Sequence, residues 1–356
     1  MNEIKFYTNY DDASILIIGG AGFVGSNLVK TLISGCKIKK ITIVDNLLSS
    51  ERISVPKHQK IEFVEGSITD FRVLSNLRDE YDYVFHLATF HGNQNSIYDP
   101  IRDHNNNALT TLMLFERLKT FKNTRKIVYS SAGCSVAKKT FENAIATTED
   151  SPIEIFQDSP YSISKIIGEF YANFYFKQHS LPIVRARFQN VYGPGEILGA
   201  GDWRGTYATV WRNVIPTFIY KAINGVPLPL ENKGRASRDF IFVEEICKGL
   251  MCCAISGNAG EVYNLGSGVE TSIFELASII NEYTGNRSGI EFLPKRKWDN
   301  SGKRFASTEK AERELGFKSN IPLKEGIKIT VDWTKQNIAF IERCIRKHDE
   351  HMIALN

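Results

Sequence analysis

A tyrosine and a lysine four residues apart form the first pair of side chains in this sequence that could do chemistry. Tyr161 and Lys165 lie in the run YSISK, directly after Ser159-Pro160 at the predicted start of a helix. Residues at positions i and i+4 share one face of a helix. A cation beside a phenol favours the phenolate, so we expect a lowered tyrosine pKa. Tyr161 could then accept a proton from a substrate hydroxyl while a hydride leaves the same carbon.

Three glycines with regular spacing form a second motif. Gly19, Gly22 and Gly25 follow an apolar run and open a helical pattern. The first allows a tight turn, the second lets the backbone approach a pyrophosphate, and the third lets helix and strand pack closely. Asp45 ends the next apolar run, where a carboxylate would bind ribose hydroxyls and repel a 2′-phosphate. This pattern predicts a site for NAD in preference to NADP.

Short apolar runs alternate with helical patterns through the first half of the chain, and these elements must position the two motifs. Such runs suit strands buried on both faces of a parallel sheet. The predicted strands are Ser14 to Ile18, Lys40 to Val44, Ile61 to Val64, Tyr83 to Leu87, Arg125 to Tyr129 and Pro182 to Ala186. The predicted helices are Phe23 to Ser34, Phe71 to Asp79, Pro100 to Phe121 and Tyr161 to His179. Right-handed crossovers then give an α/β fold with a doubly wound, Rossmann-type parallel sheet.

The pattern changes after Arg187. Residues 188–212 are rich in glycine, and shorter helical and strand patterns follow them. The later predicted helices are Ala208 to Asn224, Val243 to Ser256, Ser272 to Tyr283, Thr308 to Leu315 and Pro322 to Lys347. We therefore expect an NAD-binding domain over residues 1–187, with 236–260 interleaved, and a smaller mixed α/β substrate lobe over residues 188–356.

Composition excludes several classes of protein. The chain has 356 residues, a formal charge of +4, 42% apolar and 24% charged residues, which is typical of a globular protein. So small a charge predicts no nucleic-acid partner. No apolar run reaches the roughly 18 residues that span a bilayer, so no membrane association is expected. Six cysteines without regular spacing favour a reducing, cytoplasmic setting, and we expect no metal site.

Further motifs stand in a recognisable order. GGAGFVG, Asp45, HLA at 86–88, YSS at 129–131, YSISK and RFQNVYGPG at 187–195 follow one another along the chain. This order resembles the extended short-chain dehydrogenase/reductase family, in its NAD-dependent nucleotide-sugar epimerase and dehydratase branch. The resemblance runs from about Ser14 to Trp333. It implies a nucleotide-diphosphate sugar as substrate, NAD as cofactor, and a homodimer formed through two helices, 100–121 and 161–179.

Taken position by position, the resemblance implies a set of cofactor contacts. It places the pyrophosphate on the glycine turn and the adenosine ribose on Asp45 and Asn46. Ser67 and Ile68 fall beside the adenine, where the family usually has Asp-Ile. The residues implied to contact NAD are Gly19, Gly22, Phe23, Val24, Gly25, Asp45, Asn46, Ser67, Ile68, Leu87, Ala88, Tyr161 and Lys165. Tyr161 is also implied to be the catalytic base, with Lys165 as its partner.

The resemblance also implies substrate contacts. Asn190, in RFQN, matches a substrate-binding asparagine. Arg238 matches an arginine that contacts the substrate diphosphate, and a surface salt bridge with a neighbouring carboxylate is the alternative. Arg296 or Arg304 is implied as a second diphosphate contact. Asn107 falls where an asparagine supports the helix near the active site.

The most informative departure from the family pattern follows the fifth strand. The family commonly has a third hydroxyl there, bonded to the sugar C4 hydroxyl, but this chain has Ala132. Ser131 or Ser135 is the candidate replacement. Cys134 falls where 4,6-dehydratases place a glutamate acid/base, and it resembles a proton-exchanging cysteine of GDP-mannose 3,5-epimerase. Cys134 could move a proton at C5 once C4 is a ketone; a small buried cysteine packed beneath the nicotinamide is the alternative.

Two loops could shape the sugar pocket. The first, His91 to Ser96, is unusually polar and could bind sugar hydroxyls, or it could simply be solvated. The second carries Glu196, as an acid/base or an ordinary surface acid, and Arg204, whose permanent charge suits substrate binding. The residues that contact the nucleotide base are expected around 208–230.

Three functions follow from these features. The first is a nucleotide-sugar epimerase that inverts C4 through a transient 4-keto sugar, with Tyr161 as base. The second is a C5-epimerase or a dehydratase of the 4,6- or 5,6-type, in which Cys134 or Glu196 transfers a proton after C4 oxidation. The third is a non-catalytic NAD-sensing protein on the same fold.

Overall fold

The computed structural model describes residues 7–137, 140–295 and 302–355. Seven parallel strands form the central sheet in the order β11-β6-β5-β4-β1-β2-β3. These strands are β1 Ser14–Ile18, β2 Lys40–Asp45, β3 Ile61–Glu65, β4 Tyr83–His86, β5 Lys126–Ala132, β6 Ile183–Phe188 and β11 Val262–Leu265. The chain therefore has the doubly wound α/β fold expected from its sequence, and its last strand, β11, lies outside the segment 236–260.

Helices cover both faces of this sheet, which explains why inner strands such as β1 and β4 are continuous apolar runs, whereas the edge strand β3 carries two glutamates and is only partly buried. All five residues of β1 are buried. One face packs against α1 (Phe23–Gly35) and α8 (Val243–Ser256), and the other against α5 (Thr110–Leu118) and α6 (Pro160–His179). Shorter helices on the same half of the chain are α2 Phe71–Ser75, α3 Asn93–Tyr98 and α4 Pro100–His104.

The helix predicted over 100–121 is interrupted. Between α4 and α5 the backbone forms a π-helical turn, Asn105–Leu109. Such a turn adds one residue to a helical repeat, and π turns occur frequently at functional sites. Here it carries Asn107, whose side chain contacts the segment that follows β4.

In the part of the C-terminal lobe that the structure describes there are three two-stranded sheets. Its strands are β7 Asn190–Tyr192, β8 Leu228–Glu231, β9 Ser237–Arg238, β10 Phe240–Phe242, β12 Thr271–Ser272 and β13 Ile290–Leu293. Its helices are α7 Val214–Ile223, α9 Ile273–Thr284, α10 Leu323–Gln336, α11 Ile338–Arg346 and α12 Asp349–Ile353. The helix predicted over 322–347 is thus two helices, separated at Asn337, and the helix predicted over 308–315 is a π turn, Ala311–Leu315.

The last two helices pack on the glycine-rich loop after β7. A small apolar core joins Ile197, Leu198 and Val210 of the loop to Ile341 and Ile345 of α11. The loop that precedes α7 is therefore held on one side by the sheet domain and on the other by the C-terminal helices.

Candidate active site

A cleft of about 780 Å³ opens at the carboxyl edge of the sheet. Ligands of doubly wound sheets bind at this edge, where the strand order reverses, here between β1 and β4. The cleft is lined by the glycine turn, the ends of β2, β4 and β5, the start of α6, and the lobe. Most of the predicted site residues that the structure describes line it, and the exceptions are Arg204, Ser135 and Asn107.

The glycine turn has the shape that a pyrophosphate requires. Gly19 has a φ of +85°, and a Cβ there would lie 2.5 Å from the backbone nitrogen of Ala88. A Cβ on Gly25 would clash with the carbonyl oxygen of Gly19. Gly22 begins α1 without a side-chain cap, and it lines the cleft. The first amides of α1 are thus available to an anion at the positive end of the helix.

Asp45 holds the glycine turn as well as facing the cleft. Its Oδ2 accepts the amide of Ala21 at 2.9 Å, and its Oδ1 accepts the amide of Leu47 at 2.9 Å and the hydroxyl of Ser50 at 3.1 Å. Burial raises the pKa of this carboxyl, and these bonds oppose the shift. Each carboxylate oxygen can accept more than one bond, so ribose hydroxyls could add to this arrangement.

Tyr161 and Lys165 lie on one face of α6, as their spacing predicts. The helix begins with Ser159, whose hydroxyl accepts the amide of Ser162 at 3.3 Å, followed by Pro160. The ammonium of Lys165 donates to the carbonyl oxygen of Ser130 at 2.9 Å and lies 5.9 Å from the centre of the Tyr161 ring. The end of β5 therefore positions the lysine beside the tyrosine.

The expected lowering of the tyrosine pKa is not found in the protein alone. Burial raises the pKa of Tyr161 well above its usual value, and nearby Cys134 and Tyr129 add to this effect. Burial also lowers the pKa of Lys165 to about 8, although Asp103 opposes it. The interior thus disfavours both charged forms, and a working phenolate needs further positive charge or hydrogen bonds.

Asn107 braces the segment between β4 and α3. Its Oδ1 accepts the amide of Phe90 at 2.7 Å and the hydroxyl of Thr89 at 3.1 Å. Its Nδ2 donates to Asp103 at 2.8 Å and to the hydroxyl of Ser164 at 3.1 Å. The buried carboxamide of Asn107 therefore joins three segments: the π turn, α6, and the loop that follows β4.

The end of β5 lacks a hydroxyl directed to the substrate side. Ala132 and Cys134 line the cleft, and Cys134 lies in a short 3₁₀ turn, Gly133–Ser135. The hydroxyl of Ser131 is bonded to the buried Glu169 at 2.5 Å. Ser135 is buried and is not among the residues that line the cleft. Neither serine replaces the absent hydroxyl in this arrangement.

Glu196 is a buried carboxyl at the wall of the cleft, and not a surface acid. Its Oε1 accepts a hydrogen bond from the side chain of Asn213. Its Oε2 is buried without a hydrogen-bond partner among the described residues. Burial raises the pKa of Glu196 to about 7, with Asn213 and Arg212 opposing the shift. The group can therefore exchange a proton near neutral pH.

Arg204, expected to bind substrate, lies behind the wall of the cleft instead. Its side chain is 1% exposed. Its guanidinium donates to the hydroxyl of Ser49 at 2.7 Å and to the carbonyl of Thr209 at 3.2 Å. The loop folds the guanidinium under the segment that follows Asp45. Two of its nitrogens are bonded to protein oxygens, and its Nε is buried without a hydrogen-bond partner among the described residues.

The lobe contributes the remaining predicted contacts. Asn190, Arg238 and Arg304 all line the cleft. Arg238 donates to the carbonyl oxygens of Ser237 and Gly302, each at 2.6 Å. Arg296, the alternative to Arg304, lies outside the described residues.

Some residues at the cleft were not assigned a role from sequence. Thr89 is one of them; His91 was expected only as part of a polar loop, and Arg212 and Asn213 only as part of the stretch 208–230. His91 packs edge-on to Tyr161 with ring centres 5.8 Å apart. Burial, with Arg204 and Arg212, lowers the pKa of His91 to about 3, so its ring is neutral. The polar run from 91 to 96 and the stretch 208–230 were the sequence indications for these residues, and Thr89 had none.

A glycine turn with an acid after β2, together with a Tyr–Lys pair at the same cleft, defines a dinucleotide-dependent oxidoreductase site on a doubly wound sheet. Residues 15–266 match the model of the NAD dependent epimerase/dehydratase family. The chain belongs to this family, and the expected class of enzyme and its cofactor NAD are confirmed.

Individual relatives extend this assignment over nearly the whole chain. The Bordetella bronchiseptica enzyme WbmF, crystallised in complex with NAD+ and UDP, is 56% identical with a TM-score of 0.87, over 97% of this chain and 99% of that one. An epimerase of Methanothermobacter thermautotrophicus is 38% identical with a TM-score of 0.86, over 96% and 97% of the two chains. A UDP-glucose 4-epimerase of Mycolicibacterium smegmatis is 30% identical over 89% of this chain and 97% of its own length.

Proposed function

We propose that this chain is a nucleotide-sugar epimerase that inverts C4 through a transient 4-keto sugar. The observation that carries the proposal is that one cleft is lined by the glycine turn and Asp45, by Arg238 of the lobe, and by Tyr161 with Lys165 beside it. The likeness to a UDP-glucose 4-epimerase supports the same chemistry.

The residues present fit the NAD that this chemistry requires. Gly22 leaves the first turn of α1 open to the cleft, since a Cβ there would meet only the carbonyl oxygen of Gly19, at 3.3 Å. The amides of α1 would hold the pyrophosphate, Asp45 the adenosine ribose, and Lys165 the nicotinamide ribose. When bound, NAD supplies a hydride acceptor and a positively charged ring.

Tyr161 performs the proton transfer in this mechanism. It accepts the proton of the C4 hydroxyl as the C4 hydride is lost, and it returns that proton when hydride comes back to the opposite face of the rotated sugar. The cation of Lys165 stabilises the phenolate against the effect of burial. The 4-keto sugar must turn within the cleft before hydride returns to it.

We infer that the nucleotide is UDP. The complex of WbmF with UDP supports this choice, because that enzyme is 56% identical over nearly the whole length. Arg238 and Arg304, on the lobe side of the cleft, are the cations that would meet the diphosphate. The side chains around 208–230 that line the cleft, among them Trp211, Phe218 and Pro229, would enclose the base.

A panel of UDP-, GDP-, dTDP- and CDP-sugars tests the proposal. We expect purified protein to interconvert a C4 pair of UDP-sugars, and Tyr161→Phe to lower the rate by about 10²–10⁴. Release of NAD from denatured protein, identified by mass spectrometry, checks the cofactor. Unchanged turnover in Tyr161→Phe would contradict the mechanism, and no turnover of any sugar would favour the NAD-sensing alternative.

A second function, proton exchange at C5, has structural support of its own. Cys134 lines the cleft close enough to Tyr161 to affect the pKa of the phenol, and Glu196 carries an unpartnered oxygen at the wall. Turnover in deuterated water separates the two functions. C4 inversion recycles hydride internally and leaves the sugar carbons unlabelled, whereas C5 epimerisation or dehydration incorporates deuterium that Cys134→Ser or Glu196→Gln would abolish.

We further propose that two copies form a homodimer through α6 and the helices beside it. Ile163, Phe170 and Phe174 lie at intervals of seven and four residues along one face of α6 and are 47–58% exposed. Ile97 and Ile101 of α3 and α4 are also exposed, and both helices pack against α6. Apolar side chains clustered in this way are typical of an interface.

We expect the protein to act in the cytoplasm. All six cysteines carry free thiols, and this setting keeps thiols reduced. Across the described ranges, every helix falls short of the length or the apolar character needed to cross a bilayer.

A further inference from the structure

One residue, Gln189, joins β6 to β7 at the point where the chain leaves the central sheet. Phe188, the last residue of β6, pairs in parallel register with Ala132, the last residue of β5. Gln189 and Gly133 follow these two residues, so they leave the sheet side by side. The backbone amide of Gln189 donates to the carbonyl oxygen of Leu265 at 3.0 Å, which fixes the start of its side chain.

Two glycines make room for the Gln189 side chain. A Cβ on Gly266 would lie 2.6 Å from Cγ of Gln189. A Cβ on Gly133 would clash with Nε2 of Gln189 and lie 2.8 Å from its Cδ. The stem of Gln189 therefore packs on Gly266, and its carboxamide lies on Gly133, in the space that a side chain at position 133 would fill.

The carboxamide of Gln189 is available to a ligand. The residue is half-buried and lines the cleft. Among the described residues, neither Oε1 nor Nε2 of Gln189 has a hydrogen-bond partner. A carboxamide offers two N–H donors and one oxygen acceptor. A ligand that displaces water from the cleft must bond to these groups itself, because burying them unpaired would be costly.

The catalytic pair lies at the same strand end. The ammonium of Lys165 donates to the carbonyl oxygen of Ser130 at 2.9 Å, two residues before Ala132, and lies 5.9 Å from the centre of the Tyr161 ring. Ala132 itself presents only a methyl group to the cleft. The carboxamide of Gln189, held on the next residue along the chain, is thus a polar group at the place where β5 supplies none.

We propose that Gln189 binds the sugar of the substrate, through a hydrogen bond to a ring hydroxyl or to the 4-keto oxygen, and that Gly133 is the notch that holds its carboxamide. Gln189 has no titratable group, so it transfers no proton. It positions the sugar at the end of β5 while Tyr161 takes and returns the proton. The nature of the ligand, a nucleotide sugar, rests on the proposed function.

The test compares the binding of a nucleotide with and without a sugar. Isothermal titration of NAD-saturated Tyr161→Phe protein measures Kd for UDP, UDP-glucose and UDP-N-acetylglucosamine without turnover. Adding Gln189→Met keeps the length of the side chain and removes its donors and acceptor. We expect Kd for the UDP-sugars to rise about 3- to 10-fold and Kd for UDP to stay unchanged. Gln189→Ala gives the same comparison if Gln189→Met does not fold.

Gly133→Ala tests the notch. Its Cβ would displace the end of a flexible side chain, so we expect the protein to fold and to lose affinity for the UDP-sugars as Gln189→Ala does. In the Gln189→Ala background the added methyl group has room, and we expect Gly133→Ala to cause no further loss. Such non-additivity is typical of two residues in direct contact.

Gln157→Met is the matched control. The carboxamide of Gln157 donates to the carbonyl oxygen of Glu154 at 2.6 Å, and this residue is not among those that line the cleft. We expect the variant to keep the parent affinity for UDP and for both UDP-sugars.

Three results would overturn the proposal: equal UDP-sugar affinities in the parent and Gln189→Met, an equal loss of affinity for UDP alone, or additive losses for Gly133→Ala and Gln189→Ala. Turnover is measured separately, on wild type. If wild type converts no nucleotide sugar while the loss of UDP-sugar affinity is present, the proposed function fails and the role of Gln189 stands. If wild type is active and Gln189→Met binds as the parent does, only the role of Gln189 fails.

Discussion

The hydroxyl of Ser131 donates a 2.5 Å hydrogen bond to Oε1 of Glu169, a carboxylate buried beneath the end of β5. Glu169 also accepts hydrogen bonds from Nε and Nη2 of Arg187, at 2.8 and 2.9 Å. This network joins α6, which carries Tyr161, to β5 and β6. Ser131, expected from sequence to take part in catalysis, contributes here to the internal support of the site.

Ser131→Ala should therefore lower stability more than turnover. Loss of a hydrogen bond to a buried carboxylate is expected to cost about 1.5–3 kcal/mol of unfolding free energy, with kcat within about threefold of wild type. Urea denaturation and steady-state rates measure the two effects. A large loss of kcat with unchanged stability would restore the catalytic role.

Lys165→Met should abolish most activity. The variant removes the cation beside Tyr161, and we expect the rate to fall by about 10²–10⁴ and NAD to bind more weakly. Lys126→Met is the control, because Lys126 also donates to a carbonyl, that of Gly257, at the opposite edge of the sheet. Equal losses in the two variants would show that Lys165 acts only through packing.

Glu196→Gln should change the pH dependence of stability. The folded pKa is about 7 against an ordinary 4.5, so the folded state holds the proton more tightly. The contribution of the Glu196 carboxyl to stability is therefore fully present below about pH 4.5, and it is lost as the pH rises through 7. We expect the unfolding free energy of Glu196→Gln to increase relative to that of wild type as the pH rises, by on the order of 3 kcal/mol at pH 8. Parallel curves from pH 4 to 8 would contradict this.

Gly199→Ala should detach the C-terminal helices from the loop that carries Glu196. Gly199 has a φ of +70°, and a Cβ there would lie 2.5 Å from the carbonyl oxygen of Cys344. We expect Gly199→Ala to lose roughly 2–4 kcal/mol of unfolding free energy and to have a higher KM. Gly225→Ala is the control, since its φ of +68° is similar but its Cβ would meet nothing within 4 Å. Equal losses of stability in Gly199→Ala and Gly225→Ala would show that the close contact of Gly199 with α11 is not the cause.

Phe170→Glu should produce monomers if α6 forms the dimer interface. A charge cannot be buried there without a partner. Phe274→Glu is the control, because Phe274 is similarly exposed, at 47% against 58%, but lies on α9 of the lobe. Sedimentation analysis measures both. A wild-type protein that is monomeric at micromolar concentration would reject the interface.

Much of the cofactor side of the site was predictable, because it depends on local sequence. The spacing of Gly19, Gly22 and Gly25 sets a turn, and Asp45 ends the adjacent strand. The Tyr161–Lys165 pair needs only one helix. Each of these features joins residues whose relative positions the backbone itself dictates.

The substrate side was less predictable, because its groups come from distant segments. The sequence shows that Ala132 lacks a hydroxyl, but only the fold brings the neutral ring of His91 against Tyr161. It also buries Glu196, turns Arg204 away from the cleft, and commits Ser131 to Glu169.

By itself, then, the sequence determined the doubly wound sheet, the NAD site and the catalytic pair, since strand and helix patterns and short-range spacing suffice for them. The tertiary structure alone decided which side chains are buried, which oxygens are already bonded, and which groups face the phenol. Those properties depend on long-range packing, and packing also sets the pKa values of Tyr161, Lys165 and Glu196.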